Sequence, residues 1–308
     1  MEILGQQIAN GLVLGSIYAL IALGYTMVYG ILGLINFAHG EVTMVGAMLC
    51  IALLNLLLTA LSLPPLAIFC TSIAISVFCC VLLGISIERI AYRPLRNAPR
   101  LAPLITAIGV SIVLQNLALM IWGRGYQRFP DFLPTGNIQL LGATLTPVKI
   151  AVLIIAALVL AALWLVIHHS SMGRAMRATA QQPAVAQLMG VDTNRVIRFT
   201  FAIGSGLGAV AGIMVAAIYG QADPYMGFML GLKAFSAAVL GGIGNLAGAV
   251  VGGLLLGLLE SLGAGYLGVL SGGFLGSHYQ DIFAFLVLIL VLVFRPAGLL
   301  GERSAERV

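Results

Sequence analysis

The 308 residues are 61% hydrophobic and only 8% charged, and the mean hydropathy is +1.10. A soluble domain is about half apolar and about a quarter charged, so an ordinary soluble fold is excluded and an all-α, polytopic transmembrane helical bundle is expected. The net charge of +5 is no nucleic-acid signal, because the basic residues stand in short polar stretches between apolar runs.

A span needs about 20 mainly apolar residues. In chain order such runs stand at about 8–29, 42–61, 66–88, 101–121, 149–168, 199–220, 229–243, 246–266 and 279–296. That gives eight or nine membrane segments, with one or two broken or re-entrant. The N-terminus, MEILGQQIANG, has no basic n-region and reads as a retained first span. Asn36, His39 and Glu41 fall in one interrupted segment bracketed by Gly33 and Gly40. It is either a broken helix lining a pathway or a polar loop at the inner interface. Glu88, beside Arg89, is expected to form an interfacial ion pair. Gln115 and Asn116 lie within the fourth span, where such side chains bond across helices.

The stretch 123–147 carries Pro130, Pro134, Pro147 and the alternating run NIQLLGATLT, the pattern of a small hairpin. His168 and His169 mark the inner end of the fifth span. The segment 170–198 is a basic island with Arg174, Arg177, Arg195 and Arg198. Within it Pro183 suits a first helical position and Gly190 a left-handed C′ position, with about two turns of helix between them. Asp192 and Thr193 suit the cap of the next helix. This is either a docking element for another protein or an ordinary connecting loop.

Gly204, Gly208 and Gly212, Gly248 and Gly252, and Gly253 and Gly257 recur at intervals of four, which lets helix backbones approach closely. Lys233 is expected to snorkel outward from a short segment. Glu260 is expected to pair with Lys233 or an Arg, or to line a cavity. Cys50, Cys70, Cys79 and Cys80 lie in apolar runs without metal-ligand spacing and read as packing residues. INFAHGEVTMVGA (35–47) and GNLAGAVVGG (244–253) echo one another, as repeated Gly-broken segments do around a transporter's central pathway.

If all nine segments cross, Arg89, Arg93, Arg96, Arg100, Arg174, Arg177, Arg195, Arg198, Arg295, Arg303 and Arg307 share one face, while Arg124, Arg128, Lys149 and Lys233 share the other. Eleven against four makes the first face cytoplasmic. The C-terminus is then inside and the N-terminus outside. There is no GxxxxGK[ST] loop, and the only lysines are Lys149 and Lys233, so ATP hydrolysis by that route is excluded. No catalytic constellation supports an intramembrane enzyme. Glu41 and Glu260 keep ion-coupled secondary transport open.

The runs GSIYALIALGYTMVYGILGLINFAHGEV (15–42), IERIAYRPLR (87–96), LITAIGVSIVLQN (104–116), MGRAMRATAQQPAVAQLMGVD (172–192) and KAFSAAVLGGIGNLAGAVVGGLLLG (233–257) closely resemble LivH-type permeases. These are membrane subunits of bacterial ABC importers for branched-chain amino acids, and permeases for urea and short amides look much alike. The resemblance implies one permease domain over 1–308 in the bacterial inner membrane, with a coupling loop at about 170–198 and an outer loop at about 123–147. It implies partners: a related second permease (LivM-like), two cytoplasmic ATPase subunits that use ATP and Mg2+, and a periplasmic solute-binding protein. The chain itself is expected to hold no cofactor, metal or nucleic acid and no catalytic residue.

Residues 178–191 match the coupling-helix region, the counterpart of the EAA loop, and make Ala178, Ala180, Pro183, Ala184, Gln187, Leu188 and Gly190 the expected ATPase contacts. Here the chain departs from the general pattern, since Ala178-Thr179-Ala180 contains no Glu. The pathway candidates are Asn36, His39, Glu41, Asn116, Lys233 and Glu260.

Overall fold

A computed structural model describes residues 2–301 except 61, 63, 97, 100, 132–135, 141–142 and 271–278. Arg100, Pro134, Arg303 and Arg307 of the sequence reading therefore lie outside the described residues. The helices are α1 (Glu2–Leu32), α2 (His39–Ala60), α3 (Pro65–Ile87), α4 (Leu101–Trp122), α5 (Pro147–His169), α6 (Ser171–Gln181), α7 (Pro183–Leu188), α8 (Thr193–Tyr219), α9 (Met226–Gly241), α10 (Leu246–Leu270) and α11 (Gln280–Phe294). Short strands are β1 (Gln127–Arg128), β2 (Ile138–Leu140), β3 (Ala143–Leu145) and β4 (Gln221–Ala222). Among the described residues seven helices are long and apolar enough to cross a membrane, and Met226–Gly241 and Asp281–Phe294 are shorter apolar helices. Together these nine correspond to the nine expected segments. The protein is a polytopic helical bundle.

The chain forms two compact units. The first comprises Met1–Thr26, Pro134–Ala157 and Lys233–Val308. Its centre is a glycine seam between α1 and α10. A Cβ on Gly11 would lie 2.8 Å from Leu258 Cα, one on Gly15 2.8 Å from Leu254 Cα, and one on Gly253 2.5 Å from Ala19 Cα. Such contact distances allow no side chain, so glycine at four-residue spacing is what lets the two backbones touch. The expected hairpin is present: β2 pairs antiparallel with β3, Ile138 opposite Leu145. It is tied to α1 because Gln6 Oε1 accepts from the Thr144 N–H at 2.7 Å and Gln6 Nε2 donates to Thr144 O at 3.1 Å.

The second unit comprises Met27–Leu133 and Leu158–Leu232. Helices α2, α3 and α8 pack together at its heart. Of the apolar window of α8, 67% is buried, against 22% for the span containing α3 and 17% for α4. The latter two thus turn most of their apolar surface outward, as lipid-facing helices do. Gly46 sits against Ala209, Gly212 against the Thr43 carbonyl and Gly84 against Ser205, so small residues again set the closest approaches. Cys50 and Cys80 are buried in this packing. Cys70 and Cys79 are exposed.

Past Ile87, α3 does not simply end. Residues Glu88–Tyr92 form a π-helical turn, with the Arg93 N–H donating to Glu88 O, and Arg93–Leu95 form a 3-10 turn. Pro94 lacks the N–H that an α-helix would need there. The segment 171–181, expected as loop, is helix α6. Ser170 Oγ caps it by accepting from the Gly173 N–H at 2.9 Å, and Gly173, Met176 and Thr179 are buried at a spacing of three.

Candidate pathway and coupling sites

In the second unit the chain breaks between α1 and α2. Gly33 has φ +63°, a left-handed conformation that costs a glycine nothing, and its N–H donates to Tyr29 O at 2.7 Å. The helix restarts when the His39 N–H donates to Asn36 O at 3.0 Å. Asn36, His39 and Glu41 are then 5%, 2% and 1% exposed. They belong to the interior of this unit.

Each of the three has its own environment. Asn36 Oδ1 accepts from the Tyr92 hydroxyl at 2.9 Å. The His39 ring lies against Gly208, where an added Cβ would stand 3.3 Å from Cε1. Glu41 Oε1 accepts from the Ser111 hydroxyl of α4 at 3.2 Å. Its Oε2 is buried without a hydrogen-bond partner among the described residues, and Gly227 leaves it room, since a Cβ there would be 2.6 Å away. A buried carboxyl oxygen without a hydrogen-bond partner is costly.

Glu88 is 0% exposed and forms an ion pair with Arg96, not with the expected Arg89. Arg96 Nη1 also donates to Asn194 Oδ1 of α8 at 2.5 Å. Beside Arg96 opens a cavity of about 350 Å3, bounded by Tyr29, Leu32, Leu34 and Pro103.

In the first unit Lys233 and Glu260 come together. Lys233 Nζ lies 2.7 Å from Glu260 Oε1 and 2.8 Å from Asp281 Oδ1. Glu260 Oε2 accepts from the Tyr18 hydroxyl at 2.8 Å. The volume left among Lys233, Leu256, Glu260, Asp281 and Phe285 is about 0 Å3. Lys233 therefore does not snorkel. Two carboxylates hold its ammonium within the cluster. Asn116 joins neither group: it is exposed, and its Nδ2 donates to Ile112 O of its own helix at 2.8 Å.

The segment after α5 is anchored at its root and exposed at its tip. Ser170 Oγ donates to Val166 O at 2.5 Å, and the Arg177 guanidinium donates to Ile167 O, so the last carbonyls of α5 are capped by a cation. Arg177 thus has a local structural partner. Pro183 occupies the first turn of α7, and Gly190 has φ +84°, a conformation that strains any residue with a Cβ. The Val191 N–H donates to Ala186 O at 3.0 Å. Asp192 Oδ1 caps α8 by accepting from the Arg195 N–H at 3.1 Å. Thr193 does not cap; its hydroxyl accepts from Gln187 Nε2 at 2.8 Å. Ala178, Ala180, Pro183, Ala184, Gln187, Leu188 and Gly190 are all exposed, while Thr179 and Ala186 between them are buried.

The family model for the branched-chain amino acid transport system permease component matches residues 7–292. The chain belongs to this family. It is 46% identical to the high-affinity branched-chain amino acid transport system permease protein BraD of Pseudomonas aeruginosa, over 98% of this chain and 97% of that protein. It is 45% identical to the permease protein LivH of Escherichia coli K12, with the same coverage of each. Over a stretch of 145 residues, 45% of this chain, it is 31% identical to the ribose import permease protein RbsC of E. coli. No solved structure matches. These relatives are transport permeases and not enzymes.

As a permease, the chain has polar partners that its sequence did not single out. Tyr92, Ser111 and Asp281 complete the buried groups around Asn36, Glu41 and Lys233. Asp281, at the start of an apolar run, could have been found by asking which other acid lies within an apolar stretch of the same unit as Lys233. Tyr92 could not, because its direction depends on the π-helical turn.

Proposed function

We propose that this chain is the membrane permease subunit of a bacterial inner-membrane importer for branched-chain amino acids, driven by two cytoplasmic ATPase subunits that use ATP and Mg2+. A related second permease and a periplasmic binding protein complete the assembly, and the C-terminus is cytoplasmic. The relatives carry the substrate reading, and α7 carries the mechanism. Leu188 and Met189, 87% and 80% exposed, stand at the C-terminal end of a short helix that starts at Pro183, and an apolar projection of this kind suits a groove on another protein.

The chain has no ATP site of its own, and a ligand shifts an equilibrium only through its different affinities for two states. The effect of ATP must therefore arrive by contact, and α7 with its approach, 178–191, is the contact. Closure of the ATPases moves α7, and the spans tilt to open the pathway toward the other face. Asn36, His39 and Glu41 line that pathway, where a zwitterionic, apolar-bodied solute needs only mildly polar, permissive surroundings. High affinity then belongs to the binding protein.

Two measurements test this. Removing Gln181–Met189 is expected to abolish capture of the partner ATPase while the permease still inserts; retained capture defeats the coupling assignment. Thermal shift of the cognate binding protein is expected with leucine, isoleucine or valine and not with urea; the reverse outcome replaces the substrate class with short amides.

A further inference from the structure

Four polar contacts within the second unit form one chain. Gln187 of α7 donates to the Thr193 hydroxyl on the first turn of α8 at 2.8 Å. The next residue, Asn194, accepts from Arg96 at 2.5 Å. Arg96 pairs with the fully buried Glu88, the first residue of the π-helical turn. Tyr92, the last residue of that turn, donates to Asn36 at 2.9 Å, and Asn36 O receives the N–H that restarts the chain as α2.

The Tyr92 ring also packs on Phe201 of α8 at 5.3 Å between centroids. The same turn is therefore held to α8 at both of its ends. Glu88 Oε2 and Arg96 Nε are buried without partners among the described residues, so the central ion pair leaves hydrogen-bonding capacity unused, as a contact with a second arrangement would.

We infer that Glu88, Tyr92 and Arg96 are positioning residues that transmit the movement of α7 and the start of α8 to the break at residues 33–38, and so to Glu41. A π-helical turn holds one more residue than an α turn and is a common feature of functional sites. Rewinding it into α register would turn Tyr92 by about 100° relative to Glu88, from 3.6 residues per turn. Such rewinding would supply the second discrete arrangement, and a bistable element is what a coupling route requires. Movement of Asn194 draws on Arg96 and Glu88, and Tyr92 then pulls on or releases Asn36. The inference rests on α7 being the ATPase contact, and it adds the route by which that contact reaches the pathway.

The test uses the complete transporter in vesicles, with uptake and ATP hydrolysis read in the same preparation. Tyr92→Phe keeps the ring and removes only the hydroxyl. The double variant Glu88→Gln with Arg96→Gln keeps an uncharged polar group at both positions, removes both charges and shortens residue 96 so that it no longer reaches Asn194. Each is expected to capture the ATPase and hydrolyse ATP as the parent does, and to lower solute uptake per ATP at least fivefold. A merely structural role would lower both activities together and leave their ratio unchanged. An unchanged ratio in Tyr92→Phe overturns the inference. ATPase capture by the variant lacking Gln181–Met189 reports separately on the α7 assignment, so the two failures are distinguishable.

Discussion

Lys233 Nζ stands 2.7 Å from Glu260 Oε1 and 2.8 Å from Asp281 Oδ1, with its ammonium balanced by acids on two other helices of the same unit. Removing one member of a buried ion cluster strands the others. Lys233→Ala is therefore expected to cost about 3–5 kcal/mol, read as a large fall in the melting temperature of the detergent-purified protein. Tyr18→Phe removes one hydrogen bond to a charged oxygen and should cost about 1.5–3 kcal/mol. Equal melting temperatures for Lys233→Ala and the parent would mean that the cluster does not hold the unit together.

Gly227 leaves space for Glu41. A Cβ at this position would come 2.6 Å from Glu41 Oε2 and 2.8 Å from Gly40 O. Gly227→Ala is expected to lower uptake severely, because neither a buried carboxylate nor a backbone carbonyl can move away cheaply. Gly109→Ala is the control: nothing lies within 4 Å of its Cβ, and replacing a mid-helix glycine by alanine should stabilise by about 0.5–1 kcal/mol. Uptake by the two variants can be compared at matched membrane levels.

Gly190→Ala forces a Cβ into a left-handed residue at φ +84°, costing about 1–2 kcal/mol. The strain falls on the end of α7 and not on any apolar helix. The expected result is normal membrane insertion with weakened capture of the ATPase subunits, measured by co-purification. Normal capture would show that the Gly190 bend does not set the presentation of α7.

Gln6 holds the β2–β3 hairpin through both backbone groups of Thr144. Gln6→Ala should remove about 1 kcal/mol of restraint, visible as an increase of about fivefold in hydrogen exchange over residues 138–145. No increase there would assign the ordering of the hairpin to other contacts.

The apolar runs located the nine apolar helices among the described residues, because length and hydropathy are properties of a segment by itself. The α7 turn was legible for the same reason: proline at its start and glycine after its end act within a few residues. Side-chain partnership was less legible. Glu88 has Arg89 as its neighbour in sequence but Arg96 as its partner, since the π-helical turn redirects the chain between them. Lys233, whose stem suited snorkelling, is instead held by Asp281, 48 positions away by subtraction of the residue numbers. Helix α6 escaped notice because its buried Gly173, Met176 and Thr179 make an apolar stripe too sparse to register against such an apolar chain.

The glycine seam of the first unit pairs α1 with α10 through Gly11, Gly15, Gly253 and Gly257. Helix α1 therefore meets this partner only after more than two hundred further residues have been synthesised. Long-range pairing of this kind is slow to form. Until then Gly11 and Gly15 lack the backbone that packs on them in the finished unit, so those glycines bear on assembly as well as on the completed bundle.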